Sequence, residues 1–114
     1  MGLMQPYSHD GHYLVWGEYF NIIWTVDAES GDEAAGVWAE TVLDEDDMYV
    51  LSDVIYVLPV SGGRGSVFNA RPSDPEGKWV EVSRSEGKHV ECCFSPEVLH
   101  EIWTALSERN GVHR

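Results

Sequence analysis

Residues 48–60, MYVLSDVIYVLPV, run almost unbroken in apolar side chains, are rich in Val, Ile and Tyr, and contain one charge, Asp53. β-Branched and aromatic residues in such succession fit a covered, pleated surface, so this segment reads as a buried strand or two. It ends near Pro59, whose ring nitrogen has no hydrogen to give to a ladder. Whatever fold the chain adopts has to cover this stretch.

The flanking sequence supplies the cover. HYLVW (12–16) and YFNIIWTV (19–26) are β-rich, and Gly17 with Glu18 between them predicts a hairpin. In SGDEAAGVWAETVL, Ser30 and Glu33 have capping-box spacing, and Ala34, Val37, Trp38, Thr41 and Val42 recur at helical intervals, which predicts a helix from about 31 to 43. Gly36 weakens that helix, and VWAETVL also fits a strand. SGGRG reads as a turn or loop and SVFNA as a short strand. KWVEVSRSEGKHVECCF holds two alternating runs around Ser85, Glu86 and Gly87, the pattern of a second hairpin, with Val80 and Val82 inward and Trp79, Glu81 and Ser83 outward.

SPEVLHEIWTALSERNG predicts the second helix. Ser95 is an N-cap, Pro96 fits the first helical position, Glu97 complements the positive end, and Asn110 with Gly111 can stop the helix. Val98, Leu99, Ile102, Trp103 and Leu106 form an apolar stripe for packing on a sheet. The 114 residues, with no linker or repeat, form a single domain, 1–114. The fold class is α+β: an antiparallel sheet of about five or six strands with one or two helices packed on one face.

Charge is distributed in an unusual way over this frame. The first Lys or Arg is Arg64, and twelve carboxylates precede it, four of them in succession in LDEDDMY as Asp44, Glu45, Asp46 and Asp47. Ordinary soluble surfaces intersperse both signs. With seven basic residues and a net charge of −13, the chain does not meet the cation requirement for direct binding to nucleic acid or an anionic membrane. No apolar run approaches the roughly 20 residues that span a bilayer, and MGLMQPYSHD has neither a basic nor an apolar signal region, so the expected location is cytoplasmic.

Catalytic and metal motifs do not emerge. An EF-hand loop starting at Asp44 would require Gly and Glu where Tyr49 and Ile55 stand. His9 and His12 in HDGH, and His89 near Cys92 and Cys93, lack zinc-site spacing, and SGGRG lacks the Lys-Ser/Thr ending of a phosphate loop. Adjacent Cys92 and Cys93 would point to opposite faces of a strand, so they read as reduced structural thiols. No catalytic residue, metal or cofactor is expected.

A binding role accounts for more of the sequence. Asp32, Glu33, Glu40, Asp44, Glu45, Asp46, Asp47 and Asp53, with Tyr49 as aromatic anchor, form an expected contact set for a basic protein. In an extended run, alternate carboxylates lie about 6.7 Å apart, close to two axial phosphate steps of a DNA strand. The expected function is inhibition of a basic partner, most plausibly an enzyme acting on nucleic acid. Immunity proteins and phage-type inhibitors of restriction or CRISPR effectors have this character. Two alternatives follow in order: an assembly subunit that self-associates through sheet edges, and a small enzyme in which His89, His100 and a cysteine meet in one cleft.

Overall fold

The computed structural model of the protein describes residues 11–19, 22–43, 53–72, 80–92 and 94–112. The described part of the apolar run forms strand β3 (Asp53–Pro59), and its positions 48–52 lie outside the described residues. β3 pairs antiparallel with β1 (His12–Gly17) on one side and β4 (Gly65–Pro72) on the other. Beyond them lie β2 (Trp24–Asp27), β5 (Val80–Val90) and the two-residue β6 (Gly111–Val112), in the order β5-β4-β3-β1-β2-β6. Five strands are antiparallel, and β6 adds a short parallel edge to β2. With two helices packed against the sheet, the fold is α+β.

The pleat divides the sheet's apolar residues between two cores. Successive side chains on a strand face opposite ways. Val15, Ile55, Val57 and Phe68 therefore meet Ala34, Ala35, Val37 and Trp38 of helix α1 (Gly31–Trp38) on one face. Leu14, Leu58 and Val60 meet Leu99 of helix α2 (Pro96–Ser107) on the other. Each helix thus has a face of its own, and β3 contributes to both cores.

The capping predicted at both helices is present. Ser30 Oγ accepts from Glu33 N at 3.1 Å, and Ser95 Oγ accepts from Val98 N at 3.4 Å. α1 passes into a π-helical turn, Ala39–Leu43, so the helical span matches the expected 31–43 although its last turn is wider than an α-helix. At the far end of α2, Leu106 O accepts from Arg109 N and Asn110 N. Asn110 then ties this terminus to β2: its carbonyl accepts from Thr25 N at 2.8 Å and its Nδ2 donates to Ile23 O at 3.2 Å.

Two hairpin expectations need correction. β2 begins at Trp24, not Tyr19, and positions 18–23 connect it to β1. Glu18 N donates to Val54 O and Tyr19 N to Asp53 Oδ1, each at 2.8 Å, so the chain stays bound along β3 past Gly17 and reverses later. The second hairpin is absent, and β5 runs continuously through Ser85–Gly87. Both of its flanks pair with β4: Ser66 faces His89 while Phe68, two positions on, faces Arg84. The surplus residues form a bulge in which Gly87 takes φ 78°, a conformation that L side chains rarely adopt. In a regular strand Val82 and Val90 would share a face. The bulge changes the parity, so that Val82 packs on the α1 core and Val90 on the α2 core. Glu81 and Ser83 are exposed, as expected.

Among the described residues no helix is long and apolar enough to cross a membrane. Trp38 is fully buried, with an indole N–H that has no hydrogen-bond partner among the described residues, whereas Trp103 is only partly buried and stacks on His12 at 4.3 Å. Trp38→Ala should therefore cost about 3–5 kcal/mol. Trp38→Phe gives up a donor that forms no bond but leaves a smaller cavity, and should cost about 1–3 kcal/mol, less than Trp38→Ala. Trp103→Ala should fall between the two. Urea denaturation of the three variants checks this order, and a Trp38→Phe cost equal to that of Trp38→Ala would contradict the account of the indole N–H.

Candidate functional site

A carboxylate in a helix's first turn faces the unpaired N–H groups and positive end of the dipole. Asp32 and Glu33 occupy that position in α1, and Glu40 is exposed on the π-helical turn that follows. Asp32 also finds a cation within the chain: its Oδ1 lies 2.6 Å from Arg84 Nη2. Arg84 reaches it across the α1 face from β5, lying 5.1 Å above the Phe68 ring and donating to Ser66 Oγ at 3.0 Å. Both partners are well exposed, so the pair offsets charge more than it adds stability.

Asp44, Glu45, Asp46, Asp47 and Tyr49 lie outside the described residues, between the π-helical turn and β3 in sequence. Asp53 is described, and it departs from the expected set of outward charges. It is 7% exposed, and its Oδ1 accepts from both Tyr19 N and Val54 N at 2.8 Å. Gly17 makes room for it, because a Cβ there would overlap the Asp53 carboxylate and come within 2.8 Å of the Trp38 ring. Asp53 is thus a structural carboxylate that holds the chain after β1 against the start of β3.

This arrangement opens a shallow cleft of about 470 Å³, lined by Glu18, Tyr19, Asp53, Val54, Asn69, Ala70 and Arg71. Tyr19 is 64% exposed at its edge. An exposed ring beside carboxylates and a guanidinium is suited to contact with another protein, and among the described residues no His or Cys lines the cleft. Sequence reading missed Tyr19 and Glu18 as site residues because it placed them in a hairpin. The available sign was Gly17, since a glycine within a strand pattern often marks close approach by another group.

The other candidate chemistries do not converge. Cys92 is a free thiol lining a second cavity, and neither His89 nor His100 lines it; Cys93 lies outside the described residues. His12 stacks on Trp103 and lies 3.5 Å from Asp27 Oδ1, while His9 lies outside the described residues. Among the described residues no group of three or more His, Cys, Asp and Glu is placed to hold a metal ion. SGGRG joins strand to strand, with Gly62 and Gly63 at φ 103° and 99°, and so presents no helix N-terminus to a phosphate. Self-association through β3 is also closed over Asp53–Pro59, since β1 and β4 already occupy its two edges.

If Asp53 is structural, Asp53→Ala should cost about 2–3 kcal/mol by stranding two N–H groups, and Asp53→Asn, which keeps an acceptor, should cost less. Asp32→Asn should change stability by less than about 1 kcal/mol, as expected for an exposed pair. Denaturant unfolding measures all three, and amide exchange at Tyr19 should accelerate in Asp53→Ala alone. No protein-family model, curated protein or solved structure matches the chain.

Proposed function

We propose that the protein is a small acidic binding protein that neutralises a basic protein partner, and that this partner is an enzyme acting on nucleic acid. The observation that carries the reading is the placement of twelve carboxylates before the first Lys or Arg. Such a field attracts cationic surfaces over a Debye length of about 10 Å and speeds encounter with them. Proteins that handle nucleic acid present such surfaces to the phosphate backbone.

The described geometry supports this reading at two points. Glu33 and Glu40 extend the acidic character of LDEDDMY along the first helical segment, and Tyr19 offers an exposed ring beside Glu18. Aromatic side chains anchor interfaces that charge has brought together. The acidic run then either imitates a phosphate backbone or covers a basic active site, as immunity proteins and phage-encoded inhibitors do.

The test begins with immobilised protein used to capture partners from a lysate, with elution by a salt gradient. Binding kinetics follow at low and high salt for the parent and for a variant carrying Asp44→Asn, Glu45→Gln, Asp46→Asn and Asp47→Asn. Folding should be unchanged or slightly improved, because neighbouring repulsion is removed. Association at low salt should slow by about tenfold or more, and its salt dependence should become shallower. Tyr19→Ala and Tyr49→Ala should instead raise the off-rate. Equal rates for parent and variant at both salts would leave the acidic run a solvated face and remove the proposal.

A further inference from the structure

The α2 face of the sheet carries a second feature that core packing does not use. A cavity of about 230 Å³ lies between α2 and the strands, lined by Trp16, Ile23, Leu58, Phe94, Leu99 and Ile102 among others. Its floor is firm: Leu99 is fully buried, and Trp16 stacks on Tyr56 with ring centroids 5.6 Å apart. Apolar side chains at and near its mouth are open to water. Phe94 is 55% exposed and Ile22, beside Ile23, 60% exposed, while Val98 stands exposed one helical turn before Ile102. Exposed apolar side chains gathered at a cavity mark an interaction site more often than singly scattered ones do.

We infer that this groove docks a basic amphipathic segment of another protein, with apolar side chains in the cavity and Lys or Arg side chains against the carboxylates around it. Volume supports a polypeptide occupant, because the cavity is smaller than the roughly 300–1,000 Å³ of small-molecule sites and suits one or two aliphatic side chains. Charge determines the kind of segment. Glu91 lines the cavity, and Glu97 and Glu101 are exposed four apart on α2, beside Val98 and Ile102. Arg64 lies 3.9 Å from Glu91, but both side chains are largely exposed and the pair is loose. A second copy of this chain, itself at −13, would bring matching carboxylate rims together and is disfavoured. A basic helix laid in an apolar groove satisfies both the cavity and its rim. This surface lies on the opposite side of the sheet from α1, and it stands independently of the role proposed for the acidic run.

The full chain, labelled with ¹⁵N, is titrated with two short synthetic helical peptides that share their Leu positions, one carrying Lys and the other Glu at the remaining sites. The Leu/Lys peptide should shift the amides of Ile23, Phe94, Val98 and Ile102, and the Leu/Glu peptide should not bind. Phe94→Ser should weaken the Leu/Lys complex about tenfold or more. Val98→Ser provides a second probe on an exposed position should Phe94→Ser disturb the fold, and Glu97→Gln with Glu101→Gln should both weaken binding and flatten its salt dependence. Equal binding of the two peptides, or no shift with either, would overturn the inference. So would shifts centred on Asp32, Glu33 and Glu40, which would mark general attraction to the acidic face. Shifts at the groove that grow with protein concentration in the absence of peptide would assign the surface to self-association and overturn it equally.

Discussion

Everything in this fold is arranged around β3, which is paired on both edges and feeds a core on each face. An interior strand of this kind must satisfy its backbone through its neighbours and its side chains through two separate coverings. The chain meets the first demand with β1 and β4, and the second with α1 over Ile55 and Val57 and α2 over Leu58. Asp53, the one charge in the apolar run, is tolerated because its carboxylate sits at the strand's first position and accepts two backbone N–H groups.

What sequence reading recovers, and what it misses, follows from how local each determinant is. The α1 span and both serine caps could be read because a cap and an apolar periodicity lie within a few residues of each other. The stop expected at Asn110 and Gly111 lies past the observed end of α2 at Ser107, and the bonds of Asn110 to Thr25 and Ile23 were not legible, since they join positions far apart in sequence. The hairpin expected at Ser85–Gly87 failed on a similar point. Alternating runs around a glycine describe a turn and a bulge equally well, and the choice depended on β4, which is long enough to pair with both flanks. At the site, the acidity of the first half is plain in the sequence. The inward turn of Asp53 and the exposure of Tyr19 depend on contact between the ends of β1 and β3, and no spacing rule carries that contact.

Arg84 shows how far the chain relieves its own charge. It reaches Asp32 from the second half of the sequence, where all the Lys and Arg residues lie, and its side chain is held in place by Phe68 and Ser66. Neutralisation within the fold is therefore available to a first-half carboxylate that faces β5 across the α1 surface. Glu40 is exposed further along the same helical segment, past the point where the winding widens. The net charge of −13 remains as a field acting outward, and it costs the compact state some self-repulsion in return.

The two faces of the sheet consequently present different chemistry with a shared sign. On the α1 side Trp38, Ala34 and Ala35 are completely buried, and among the described residues Asp32 and Glu40 stand exposed on the helical segment while the Tyr19 ring is exposed beside Glu18. On the α2 side burial is incomplete. α2 covers Leu14, Leu58 and Val60 but leaves Phe94, Val98 and the neighbouring Ile22 and Ile23 in water, next to Glu91, Glu97 and Glu101. A charged face without apolar anchors recruits quickly and releases quickly, because long-range attraction acts mainly on association while buried contacts govern dissociation. An apolar groove supplies the slow dissociation that a field alone cannot. On the proposed function, acidity would supply the attraction to a basic protein and the incompletely buried α2 face would supply the hold.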